Sequence, residues 1–325
     1  MRALPFVDSA QLTDLLSWPT AIAALGRALA PAYAQGGFVE RTNVPLDNGE
    51  LLLMPAAGGE TVGVKIVGVA PRNPERGLPR IQALYTLFDA HTLAPLAVLD
   101  GSTLTTIRTA AQSAYVVREL APEGARSLVV FGAGPQAEAH IEAVRAVRAI
   151  DTVRIVGRRP ERVAALCERL GHSGVDVRAG ERADVASADI VVCATTSTTP
   201  VFDGADLADH AFVVAVGSHT PDARELDGSV FSRASLVLVE HRHTALREAG
   251  DIVQAVAEGA LTPTRLTDFG DLADLRADTG ISVYKSVGMA WQDLAIAQAV
   301  WDSLPTRTST APTTVPPAEL PRRTS

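Results

Sequence analysis

Lysine is almost missing from this chain. Lys and Arg together number 29 among 325 residues, and only Lys65 and Lys285 are lysines. Cysteine is as scarce. Cys167 and Cys193 lie in apolar segments and set up neither a disulfide framework nor the spacing of a metal site. No run of about 18 apolar residues occurs, so no membrane span is expected. The N-terminal MRALPFVDSAQLTDLL lacks the apolar core and cleavage site of a signal peptide. Positive charge is also short. A formal net charge of −8 argues against a general nucleic-acid-binding surface. The expectation is a cytoplasmic protein without a membrane or nucleic-acid partner.

Against that scarcity, Lys65 stands in an apolar, glycine-rich strand, GVKIVGVAP over 63–71. Arg stays charged at any accessible pH, whereas an amine flanked by Val64 and Ile66 can be desolvated until it exchanges a proton. A structural alternative stands beside this: the lysine stem covers apolar surface at a strand end.

The chain is 47% hydrophobic and 20% charged, which describes a globular protein with enough chain for a large core. Residues 8–34 have helical apolar spacing, interrupted at Pro19. Residues 40–100 carry short apolar runs separated by Gly, Pro, Asn and Asp, as in an antiparallel sheet. From Arg126 onward strands and helices alternate, which means a doubly wound parallel sheet. The expected fold is α/β. A substrate and dimerisation domain of α+β type spans 1–118 and is completed by a helix at about 290–304. A Rossmann-type domain spans 119–290. The Pro- and Thr-rich tail 305–325 is expected to be disordered.

FGAGPQAEAH holds Gly132, Gly134 and Ala137, with Ala133 and Gln136 between them, in the G-x-G-x-x-A form of the dinucleotide fingerprint. Glycines let the backbone approach a pyrophosphate, and the helix N-terminus offers free N–H groups. The element follows a strand, opens a helix and precedes a second strand–helix unit, the context that gives the motif its meaning. The next strand ends IVGRRPER, with Arg158 and Arg159 and no acid. An acid would hold a ribose 2′-hydroxyl, while Arg pairs with a 2′-phosphate, so NADPH is expected, with NADH as the alternative.

With these elements placed, the chain resembles the ornithine cyclodeaminase/mu-crystallin family over about 5–303. The resemblance rests on the ordered blocks GVKIV, GLPRIQALYTLFDAHTLAPLAVLDGSTLTTIRTAA, FGAGPQAEAH, VGSHTPDARELD and YKSVGMAWQDL. It implies a homodimer formed through the first domain, with the substrate site between domains. It implies that Arg41 and Arg108 bind a substrate carboxylate, as the bidentate guanidinium fork allows. Lys65 matches the family's active-site lysine. Thr195, Thr196 and Ser286, Val287 and Gly288 fall where the nicotinamide would lie.

Two positions depart from the cyclodeaminase pattern. His219 stands where cyclodeaminases carry an Asp, and Leu52 stands where they carry a Glu. Without those carboxylates the amines of ornithine would be stranded in a partly desolvated site. The resemblance therefore favours an NAD(P)H-dependent reductase of small cyclic imino acids, Δ1-pyrroline-2-carboxylate or Δ1-piperideine-2-carboxylate, giving proline or pipecolate. Lys65 is the first candidate for protonating the imine nitrogen and His219 the second. An amino-acid dehydrogenase or N-alkylamino-acid reductase, an ornithine cyclodeaminase, and a non-catalytic NADPH-dependent ligand binder remain alternatives. His241 and His243 lack a third metal ligand, and no metal is expected. His140 reads as packing or surface, and Asp293 as a helix-surface acid.

Overall fold

The computed structural model describes residues 4–34, 39–171, 174–276 and 280–304. The tail 305–325, expected to be disordered, lies outside the described residues. The first half contains β1 (Phe6–Val7), α1 (Ser9–Leu15), α2 (Trp18–Ala34), β2 (Thr42–Leu46), β3 (Gly49–Gly58), β4 (Thr61–Val69), β5 (Ile81–Asp89), β6 (Pro95–Asp100) and α3 (Gly101–Leu120). Asp8 caps α1 in a capping box with Gln11, and Pro19 sits in the first turn of α2, where its missing N–H costs no helix bond. The strands form one sheet in the order β1-β6-β5-β4-β3-β2, antiparallel except for β1 on β6. In β4 every second residue is buried, from Thr61 through Gly63, Lys65 and Val67 to Val69. That alternation is the period of a sheet covered on one face.

The second half runs β7 (Ser127–Phe131), α4 (Pro135–Arg145), β8 (Thr152–Val156), α5 (Pro160–Leu170), β9 (Asp176–Ala179), β10 (Ile190–Cys193) and β11 (Phe212–Ala215). It continues through α6 (Gly228–Arg233), β12 (Leu236–Val239), α7 (Arg242–Glu248), α8 (Gly250–Ala257), β13 (Leu266–Asp268), β14 (Ser282–Lys285) and α9 (Ala290–Ser303). The strands form an eight-stranded parallel sheet in the order β13-β12-β14-β11-β10-β7-β8-β9. Strands β7, β10, β11 and β14 are buried along nearly their whole length, as a sheet with helices on both faces requires. The chain order reverses between β7 and β10, which opens a crevice at their C-terminal ends.

Two helices join the halves. Asp100 caps α3, accepting from the Thr103 N–H at 2.7 Å, and the helix then packs on both α2 and α4. Helix α9 leaves the parallel sheet and packs back on α2, β3, α3 and β4. A helix buried between the first sheet and the helices α2 and α3 needs a largely apolar sequence, and α9 has one over most of AWQDLAIAQAV.

Candidate active site

Register decides what meets at the sheet edge. Phe131, Cys193, Ala215, Lys285 and Val239 lie side by side across five parallel strands. The residues that follow each of them therefore leave the sheet on one edge: Gly132–Gly134, Thr195, Gly217–His219, Ser286–Gly288 and Glu240. Gly132 adopts φ +121, and a Cβ there would stand 2.5 Å from the Ala194 carbonyl oxygen, so only glycine fits. A Cβ on Gly134 would meet nothing within 4 Å. That open space lies before α4, whose N-terminus has no side-chain cap. Backbone room and free N–H groups at this helix suit a pyrophosphate. Ala137 is buried beneath the turn, and Arg158 and Arg159 are exposed at the tip of β8.

Lys65 points from β4 into the space between the two sheets. Its Nζ lies 2.8 and 3.0 Å from the Asp293 carboxylate oxygens and donates to Thr105 Oγ1 at 3.2 Å. The lysine is 2% exposed and Asp293 fully enclosed. Burial pulls the lysine pKa down to about 8, with Asp293 opposing the shift and Arg108 adding to it. Arg108 Nε lies 3.3 Å from the other edge of Asp293, so one carboxylate holds both cations. Asp293 is thus no helix-surface acid. A buried face on both sides of α9 encloses it, and it would be untenable there unpaired. Met54 and Tyr85 pair with Lys65 across the neighbouring strands. Burial, and second the Asp293 charge, push the Tyr85 hydroxyl well above its ordinary pKa, so it stays neutral. Leu52 lies on this same face of β3, two residues from Met54.

Arg41 donates through Nη2 to the carbonyls of Gly288 at 3.1 Å and Val287 at 3.4 Å, and pairs with Glu248 at 3.0 Å. It also lines a small cleft with Met54, Glu248, Gly288 and Met289. The N–H groups of Val287 and Gly288 go to the buried Glu240 carboxylate at 2.8 and 2.7 Å. Ser286 Oγ joins the same carboxylate at 2.9 Å. Gly288 has φ +84, and a Cβ there would lie 2.7 Å from both terminal nitrogens of Arg108. The Arg108 guanidinium therefore rests directly on this glycine.

The second lysine has a different role. Lys285 is buried, pairs with Asp251 at 3.1 Å, and donates to the Ser218 carbonyl at 2.7 Å. Asp251 also accepts the N–H groups of Glu225 and Leu226, and hydrogen bonds with the Ser218 hydroxyl. Glu225 in turn accepts Thr195 N at 2.6 Å, Thr195 Oγ1 at 2.8 Å and Gly217 N at 2.7 Å. Burial raises its pKa. These groups fix the loops after β10 and β11, so the Thr195 hydroxyl is already committed, while Thr196 is exposed.

The structure brings Lys65 and Arg108 into one cluster and sets Arg41 against the 287–288 segment that Arg108 also touches. His219 stands on the loop after β11, solvent-accessible. Desolvation by the loop around it, and second the Arg41 charge, lower its pKa. His140 is buried, contacts Ser113 Oγ at 2.9 Å and the Gln136 carbonyl at 2.7 Å, and burial lowers its pKa to about 4. It fastens α4 to α3 as a neutral ring. Among the described residues no cluster of three His, Cys, Asp or Glu could hold a metal. From the sequence Asp293 reads as a helix-surface acid, and Gln292 and Glu240 carry no role. The available signal was an adjacent amide and acid, Gln292 and Asp293, in the first turn of the largely apolar α9, and a lone acid following the apolar strand LVLV.

The ornithine cyclodeaminase/mu-crystallin family model matches residues 19–307. A Δ1-pyrroline-2-carboxylate reductase of Bacillus cereus is 36% identical over 276 residues, covering 81% of this chain and 84% of its own length. The Δ1-pyrroline-2-carboxylate/Δ1-piperideine-2-carboxylate reductase of Azospirillum brasilense is 34% identical over 311 residues, covering 94% and 98%. Among solved structures, the Thermococcus litoralis Δ1-pyrroline-2-carboxylate reductase in complex with NADH and L-proline superposes with a TM-score of 0.87 at 28% identity, covering 92% and 97%.

Proposed function

The chain belongs to the ornithine cyclodeaminase/mu-crystallin family, and on that footing we propose that it is an NAD(P)H-dependent reductase of small cyclic imino acids. Δ1-Pyrroline-2-carboxylate and Δ1-piperideine-2-carboxylate are its substrates, reduced to proline and pipecolate. The observation that carries this reading is the buried Lys65–Asp293 pair, with Arg108 on the same carboxylate. Lys65 and Arg108 meet at Asp293, and Arg41 lines a cleft beside Gly288, the glycine on which Arg108 also rests; this set of cations suits a substrate bearing one carboxylate and one imine.

A bound nicotinamide supplies the hydride. Arg41 and Arg108 grip the substrate carboxylate and set the ring so that its C=N carbon is presented in one orientation. Lys65 protonates the imine nitrogen. A pKa of about 8 keeps it protonated at neutral pH while leaving the proton easy to release. Asp293 keeps the ammonium charged and aimed. Leu52 on the site face and His219 at the loop leave no carboxylate at the two positions where cyclodeaminases carry one, which disfavours a diamine.

NADPH is the preferred donor, on the support of Arg158 and Arg159 at the tip of a strand that ends without an acid. The chain acts as a homodimer. Support comes from the outer face of the first sheet, where Leu53, Ile66 and Leu84 stand in one row across three strands and Val44 and Leu46 extend the apolar surface. The reductase reading is tested by following NADPH and NADH oxidation with the five- and six-membered cyclic imino acids. Absence of oxidation with both rings, by protein that binds NADPH, overturns it.

A further inference from the structure

We propose that Glu240 is a positioning residue that couples occupancy of the dinucleotide site to the grip of both carboxylate-binding arginines, so that cofactor and carboxylate ligand bind with positive cooperativity. The proposal rests on the reductase reading for the identity of the carboxylate, but its geometry is independent of ring size. Glu240 follows β12 and is 1% exposed. Oε2 accepts Val287 N and Gly288 N; Oε1 accepts Ser286 Oγ and, at 2.6 Å, Gln292 Nε2. Among the described residues no cation pairs with it within 4.0 Å. A buried carboxylate with four short donors and no countercharge is expensive unless those donors stay fixed. It therefore fixes them to one another, so that they hold or shift as one unit.

What it fixes is the peptide pair on which both arginines rest. The carbonyls of Val287 and Gly288 accept Arg41, while the Cα of Gly288 lies under the Arg108 guanidinium. Gln292 completes the link. A carboxylate only accepts and a guanidinium only donates, so an amide between them has one workable orientation. Gln292 gives Nε2 to Glu240 and its Oε1 accepts Arg108 Nη1 at 2.9 Å. Ser286–Gly288 are also the segment where the family resemblance would place the nicotinamide. A ligand that settles this segment settles Arg41 and Arg108 with it, and a carboxylate that settles the arginines settles the segment. Linkage requires the two effects to be equal.

The test measures dissociation constants by calorimetry for NADP+ and for L-proline, each alone and each with the other saturating. Wild type is expected to bind proline about tenfold or more tightly with NADP+ present, within the range of about 5–150-fold usual for coupled sites, and the reverse factor should match. Glu240→Gln places an N–H among donors and should lose the coupling. Gln292→Ala guards against misfolding of that variant. It cuts only the arm to Arg108, so NADP+ alone should bind within about threefold of wild type while the cooperativity falls below about threefold, less than any usual coupling. A merely structural role for these residues would lower the Tm and leave that ratio unchanged. Wild type that reduces cyclic imines but shows a ratio below about two, or Gln292→Ala that keeps the wild-type ratio, overturns the coupling and leaves the reductase reading standing. Protein that reduces no cyclic imine, yet binds pyruvate more tightly with NADP+, overturns the substrate and keeps the coupling. Protein that binds neither carboxylate overturns both.

Discussion

Lys65 and Asp293 meet at 2.8 Å across 228 residues of chain, and neither reaches solvent. The pair joins a strand of the first sheet to the helix that returns from the second. An ion pair so placed is a weak source of net stability, because both charges leave water. What it provides is a charged amine in a low-dielectric site with one fixed direction. That makes the pair more informative about reactivity than about folding.

The alkaline side of the pH profile should report Lys65. The folded lysine has its pKa lowered from 10.5 to about 8. Its protonated form is therefore complete below pH 8 and lost as pH rises through 8, so turnover with the imine should fall there. Unfolding does not explain such a loss. The unfolded chain holds this proton to higher pH than the folded one, so the cost of burying this charge falls away, and stability rises, as pH goes from about 8 to 10.5. Turnover that stays flat to pH 10 would remove Lys65 as the donor.

Replacing Asp293 with Asn should lower turnover and also move that alkaline limb. Asp293 is what holds the lysine pKa up against burial, so the limb should shift toward lower pH. Loss of a positioned acid is worth about 10²–10⁴-fold in rate, and at pH 8 the variant should approach that range. A variant with an unmoved limb would show that Asp293 serves packing alone.

Lys65→Arg should fail even though it keeps the charge. Arginine is larger and does not release a proton at accessible pH. Turnover should drop by the same order as for Lys65→Ala, about 10²–10⁴-fold, while NADPH binding survives, since β4 lies outside the parallel sheet. An arginine variant within about threefold of wild type, far inside that range, would reassign Lys65 to electrostatic anchoring.

Removing Arg158 and Arg159 together should raise the Michaelis constant for NADPH and leave that for NADH nearly unchanged. Both side chains are exposed at the tip of β8, so folding should not be affected. Steady-state kinetics with both cofactors decides. Wild type that prefers NADH would refute the assignment of these arginines to a 2′-phosphate.

L-Ornithine with NAD should release no ammonia. Leu52 lies on the site face of β3, where it offers no acceptor for an ammonium. Ammonia production at even a few turnovers per second, within the ordinary enzymatic range, would show that another group takes the place of the missing carboxylates.

Local signals in the sequence were sufficient for much of this protein. Alternating strands and helices after Arg126 establish the parallel sheet, because that pattern has few compact solutions. Gly132 and Gly134 mark the cofactor turn because a positive φ and an open Cβ direction are local requirements. Lys65 stands out because an amine in an apolar strand is chemically out of place. Arg41 and Arg108 stand out only through the family pattern. The partners of these residues were not legible. Asp293 and Gln292 sit in a helix whose sequence says only that it is apolar, and Glu240 ends a strand where an acid could as well face water. Their functions depend on which residues of distant strands end in one row, and on α9 crossing back to β4. Those are matters of register and docking, settled by burial of the whole core. Only the tertiary structure could decide that one acid in α9 would sit between Lys65 and Arg108, because a charge enclosed there is stable only when its partners arrive with it.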